Sequence, residues 1–131
     1  MMPGRTHWRV RWLLLPISLA VLCGCSEIRL REAMGHVQLR YNKLQQELEA
    51  GANFASRDAA TELERALMAP AIAERSPHAG DKEFDKLLKE AIGSTQRVRK
   101  VAERFDREAL SNLRGDITSR CDACHKAYRH P

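Results

Sequence analysis

Leu110-Ser111-Asn112-Leu113-Arg114-Gly115-Asp116-Ile117-Thr118-Ser119-Arg120-Cys121-Asp122-Ala123-Cys124-His125-Lys126-Ala127-Tyr128-Arg129 sets apolar side chains at 110, 113, 117, 121, 124 and 128. Steps of three and four describe one face of a helix. Two members of that face are cysteines, and His125 follows the second directly. C-x-x-C-H is the attachment pattern for c-type haem. The spacing has a chemical reason. Two thiols add across the two vinyl groups of one haem, and helical positions i and i+3 bring both sulfurs to the same porphyrin edge. The next residue, His125, is then the proximal iron ligand. Cys121 and Cys124 also fit half a zinc site or a redox dithiol. A zinc site needs a second ligand pair, and the other cysteines, Cys23 and Cys25, lie at the far end of the chain. A thioredoxin-like dithiol belongs beside a βαβ pattern, and none is visible.

That far end reads as an export address. Arg5, Arg9 and Arg11 precede an apolar run, Trp12 to Leu22, interrupted by Pro16. The run has the length of a signal-peptide core and is short of the ~20 apolar residues of a membrane span. It ends in Leu22-Cys23-Gly24-Cys25-Ser26, which resembles a bacterial lipoprotein signal. Small Gly24 makes Cys25 the better acyl acceptor; Cys23 follows the larger Leu22. Residues 1–24 are therefore expected to be a lipoprotein signal peptide and residues 25–131 the mature domain. Cleavage by the ordinary signal peptidase, or an uncleaved anchor, are the alternatives. Several acyl chains on one cysteine hold a small domain at a membrane where one chain binds marginally. Export agrees with the C-terminal motif, because c-type haem is attached outside the bacterial cytoplasm.

The 131 residues carry 22 Lys and Arg, 17 Asp and Glu, and a formal charge of +5. Setting aside the three leader arginines leaves 19 basic against 17 acidic side chains, a net of +2. A balanced surface with no arginine-rich stripe argues against nucleic acid as a partner. Trp8 and Trp12 both lie in the leader, so the mature domain has no tryptophan.

Helical periods cover the rest, and no strand pattern stands out. Leu30, Met34, Val37, Tyr41, Leu44 and Leu48 predict a helix over 27–50, broken by Gly51-Ala52-Asn53. Ser56 is a plausible N-cap for a second, 56–69, with Ala60, Leu63 and Leu67 on its face, Met68 packing beside it, and Pro70 ending or kinking it. Residues 76–80 form a loop. Asp81 caps a third helix, 82–105, with Phe84, Leu88, Ala91, Thr95, Val98, Ala102 and Phe105 as its stripe. A break near Asp106 precedes the fourth, 107–129. Four amphipathic helices with short connections predict an all-α fold, an antiparallel up-down-up-down four-helix bundle with the haem near one end.

Cys121-x-x-Cys124-His125-x-x-Tyr128-Arg129 on the last of four helices resembles the cytochrome c′ and cytochrome c-556 family, the class II c-type cytochromes. The helix pattern covers the mature region; only the C-terminal motif is residue-specific. The resemblance implies thioether attachment at Cys121 and Cys124, ligation by His125, and Arg129 close to the proximal haem face. It also places the distal face against the first helix. There, Leu30-Arg31-Glu32-Ala33-Met34-Gly35-His36 is similar to the family's Arg-Gln-Ala-x-Met region with a one-residue offset. Aligning Arg31 puts Gly35 at the distal position; aligning Met34 puts Leu30 where the arginine stands. Met34 shares the core stripe and a thioether is a good axial ligand, although a methionine at helical spacing also serves as packing. His36 lies about 200° further round the helix and points elsewhere. Arg31 is a candidate partner for a haem propionate or a solvated charge. His78 and His130 are expected in solvent.

The resulting expectation is an electron carrier with one covalent haem c and no enzymatic activity, lipid-anchored on the periplasmic side of a bacterial membrane or else soluble in the periplasm. Its partners are redox proteins of that compartment. The alternative is a five-coordinate haem protein that binds nitric oxide or carbon monoxide, with room beside Gly35. A haem-free bundle with a disulfide or metal at Cys121 and Cys124 is a third class. Relatives in this family often dimerise through the first two helices, so a homodimer is admitted without a sequence feature that identifies its interface.

Overall fold

The computed structural model describes residues 14–129, with the backbone alone for 14–23. Arg5, Trp8, Arg9, Arg11, Trp12 and His130 lie outside the described residues, as do the side chains of the apolar run and Cys23. The described chain is all-α. Five helices follow in order: α1 (Leu14–Ala50), α2 (Asn53–Leu67), α3 (Pro70–Ala73), α4 (Lys82–Glu103) and α5 (Arg107–Tyr128). Among the described residues no helix is long and apolar enough to cross a membrane.

The connections follow from local chemistry. Gly51 takes φ +67°, and the amides of Gly51 and Ala52 return to the carbonyls of Leu48 and Glu47 at 3.2 and 3.1 Å. This left-handed cap closes the free carbonyls of α1. Asp81 caps α4 by accepting from the amides of Glu83 (2.9 Å) and Phe84 (3.3 Å), as its position predicts. Asp106 does the same for α5 through Ala109 N–H at 3.0 Å.

Four expectations are corrected. The first helix starts at Leu14 instead of residue 27, so the backbone of residues 14–26 runs into the domain without a break. α2 starts at Asn53, and Ser56 is no cap: it is wholly buried, and its hydroxyl has no hydrogen-bond partner. Met68, at the C-cap of α2, is 56% exposed and does not pack. Phe105 leaves the stripe of α4; it sits in the turn at φ +55°, 58% exposed, with its ring edge-on to Phe54. Pro70 stops α2 as expected: Ala69 before it is extended at φ −56°, ψ 136°, and the helix ends at Leu67. Pro70 also opens α3, where its missing N–H costs nothing, and α3 buries Ile72.

The apolar stripes meet in one core of Val37, Leu44, Leu48, Leu63, Leu67, Ile72, Phe84, Leu88, Val98, Leu110, Ile117 and neighbouring alanines. α2 packs on α1 and α4, and α4 on α5, along broad seams; α1 meets α5 along a thinner one. Polar pairs fix the direction of that thin seam. Tyr41 bonds Thr118 at 2.8 Å, Arg114 donates to Gln45 at 2.9 Å, and Arg114 reaches Glu49 at 3.4 Å. Contacts rise along α1 as they descend α5, so the two helices are antiparallel. On α4 and α5, Arg120 pairs with Glu90 at 2.9 Å and Arg97 with Asp116 at 2.8 Å, again antiparallel.

Candidate haem attachment site

Burial along α5 is graded. Leu110 and Ile117 are inaccessible, whereas Cys121, Cys124, His125 and Tyr128 are half-buried. α1 shows the same gradient from its own side. Leu44 and Leu48 are buried, while Ala33, Met34 and Leu30 are partly exposed yet still packed against the core. The two fading stripes lie at one end. Continuing the Tyr41–Thr118 register by two turns brings Met34 level with His125, and a further turn brings Leu30 level with Tyr128 and Arg129. Two thiols, an imidazole and a thioether thus belong to one end of the helical array; Met34, Cys121 and Cys124 pack against the core and His125 is half-buried beside them.

The thiols are held protonated. Burial first, then the charge of Asp122 and the neighbouring Cys124, pushes Cys121 up to about 11. Burial raises Cys124 as well. Their place in the last turns of α5 acts the same way, since the carboxyl end of a helix disfavours negative charge. Reactive dithiols have the opposite setting, at a helix amino end beside cations. Among the described residues no group of three or more His, Cys, Asp or Glu gathers to hold a metal ion, so the zinc reading finds no second ligand pair. The donor set fits covalent haem: two neutral thiols one turn apart on an apolar face, a histidine beside them, and a methionine at the same level of the opposite helix.

An aromatic cluster closes this end. Tyr128 meets Phe84 edge-on at 5.3 Å between ring centres, and His78 lies 4.9 Å from Tyr128 and 5.4 Å from Phe84. The Phe84 amide first, and then the neighbouring Tyr128 phenol, hold the carboxyl of Asp81, the cap of α4, below its ordinary value. Sequence reasoning missed this cluster. His78 was expected in solvent and is instead half-buried against two rings. The available signal was that the stripe of α4 begins, and that of α5 ends, on an aromatic residue, which antiparallel packing brings to the same end.

The remaining site residues are less engaged. Arg31 is exposed and paired with Glu27 at 2.8 Å. Arg129 is exposed; its amide closes the last turn of α5 onto the His125 carbonyl at 2.9 Å. His36 is exposed, as expected. Gly35 is exposed too, and a Cβ added there would meet nothing within 4 Å, so it offers no recess beside Met34. Cys25 is exposed on α1. The broad groove of about 570 Å³ between α4 and α5 is walled by charged side chains, Lys86, Lys89, Glu90, Arg97 and Arg120 among them, and does not open on the cysteine-bearing stripe. No family model, curated protein or solved structure matches this chain.

Proposed function

We propose that this chain is an exported, lipid-anchored c-type cytochrome of the cytochrome c′ and cytochrome c-556 kind. It is read as an antiparallel four-helix bundle of α1, α2, α4 and α5 that carries electrons on the periplasmic side of a membrane. The observation that supports this reading furthest is the position of Cys121-x-x-Cys124-His125. The motif continues the core-facing stripe of α5 at the end where burial fades, level with Met34 on α1.

The residues divide the work. Cys121 and Cys124 would hold haem through thioether bonds; His125 and Met34 would be the axial ligands. Bound haem supplies one-electron exchange between ferric and ferrous iron. An imidazole and a thioether are both neutral, and the methionine favours the reduced state. Phe84, Tyr128 and His78 exclude water from this end. Arg129 follows the proximal ligand by one turn, and Arg31 would have to release Glu27 to meet a haem propionate. Acylation of Cys25 would hold the domain beside membrane-bound partners and raise its effective concentration there. The carrier reading is preferred to gas binding because Met34 faces the core while Gly35 faces solvent.

The decisive experiment is the absorption spectrum of protein matured with haem-attachment machinery. A low-spin spectrum with the weak near-infrared band of ferric iron bound to methionine is expected. Met34→Ala should convert it to a high-spin form that binds carbon monoxide. Colourless protein, with no haem mass on the C-terminal peptide, refutes the proposal; a spectrum unchanged in Met34→Ala removes Met34 as a ligand.

A further inference from the structure

We infer that the end of the protein bearing Cys121, Cys124 and His125 is turned toward the phospholipid surface and held there by a rigid tether. The inference rests on the acylation of Cys25 and the haem attachment proposed above, and adds an orientation to them. Three observations carry it.

The first is direction. α1 is antiparallel to α5, so the early residues of α1 lie at the end of the array where α5 finishes. Cys25 precedes Leu30, which is level with Tyr128 and Arg129, by five residues, about 8 Å along a helix. The opposite end, at Gly51, lies about 39 Å from Cys25 on the same measure.

The second is stiffness. A tether of Gly, Ser or Pro-rich sequence would let the domain tumble above the bilayer. Here the helix runs through Cys25 and Ser26 into Leu30, Met34 and Val37 without interruption. From Leu30 onward its apolar face is anchored in the core. Once residues 1–24 are removed, the acyl acceptor would be the exposed start of a rod whose other part is packed into the domain.

The third is the neighbourhood. The start of α4 shares this end, because Phe84 touches Tyr128. Exposed Lys82 therefore faces the membrane, whereas exposed Arg104, at the C-cap of the same helix, faces away, about 33 Å distant. A haem held by Cys121, Cys124 and His125 at this end would be placed to exchange electrons with a group held in or on the bilayer.

Lys82→Cys and Arg104→Cys test this in the lipidated holo-protein on phosphatidylcholine vesicles. At each position the rate of modification by a bulky polymer-linked maleimide is divided by the rate with N-methylmaleimide. The ratio at position 82 should fall severalfold below that at position 104. A Gly/Ser spacer inserted after Ser26 should abolish the difference. Equal ratios, a lower ratio at position 104, or protection that survives the spacer overturns the orientation. The unsubstituted protein is the control for the reading beneath it, and should take up no maleimide. Uptake there means that Cys25, Cys121 or Cys124 carries a free thiol or that Cys23 has been retained, which overturns the lipoprotein or haem assignment and the orientation with it.

Discussion

Ser56 carries a hydroxyl with nowhere to bond. In sequence it looks like a helix cap, because a serine ahead of an apolar stripe commonly is one. The chain instead closes α1 with Gly51 and enters α2 at once, which carries Ser56 a turn into the helix and onto its buried side. An unsatisfied buried polar group costs about 1–3 kcal/mol. Ser56→Ala is therefore expected to stabilise the protein by about 1 kcal/mol, seen as a higher urea midpoint at unchanged slope. Asp116 has the reverse character. Burial would raise its carboxyl, but hydrogen bonds from Arg97 and Ser94 and the charges of Arg97 and Arg120 outweigh it and hold the group below 3.8. A depressed carboxylate contributes stability above its unfolded value and loses it as pH falls through the lowered one. Melting temperatures should therefore drop on acidification below about pH 4, and Asp116→Asn should flatten part of that drop. The raised thiol of Cys121 gives a third expectation. In unmatured protein, alkylation by iodoacetamide should be slow at neutral pH and keep accelerating past pH 9, because the thiolate is scarce until near 11. Rapid alkylation at pH 7 would return the redox-dithiol reading.

Helices were legible where a period had room to repeat. The stripes of α1, α4 and α5 each run for several turns, and every member assigned to the third from Phe84 to Ala102 is buried. α3 could not be read, since four residues cannot display a period of 3.6, and its sign was Pro70 at a helix start, which also fits a helix end. Phe105 failed for another reason. Its spacing continues the stripe, but the chain must reverse before Asp106, and spacing carries no information about φ. Gly35 and Gly115 stand on exposed helix faces with open space at the absent Cβ. Gly35→Ala and Gly115→Ala should each stabilise by about 1 kcal/mol in denaturant titrations. Gly35→Ala should also leave the haem spectrum unchanged, since position 35 faces away from Met34's packing.

For the protein as one folding unit, the candidate site residues could be named from the sequence, and the aromatic cluster beside them could not. Cys121, Cys124, His125 and Met34 were nameable because their chemistry is tied to local spacing on single helices. His78, Asp81 and Tyr128 come together only after α4 and α5 have docked, and no local pattern records that meeting. A domain of the size proposed for the mature chain, residues 25–131, has a modest core. A cross-linked ligand that binds only the folded form adds to its stability. Protein with Cys121→Ser and Cys124→Ser should therefore melt well below the holo-protein by circular dichroism; equal melting temperatures would show that the ligand adds nothing. If haem is attached as proposed, the graded burial along α5 has one more effect, on the order of assembly. Amides in the final two turns should trade their hydrogens for deuterium long before those near Leu110. The same fraying would offer both sulfurs to the ligation apparatus while α5 from Leu110 to Ile117 keeps its shape, so that maturation need not wait for, or undo, the collapse of the chain.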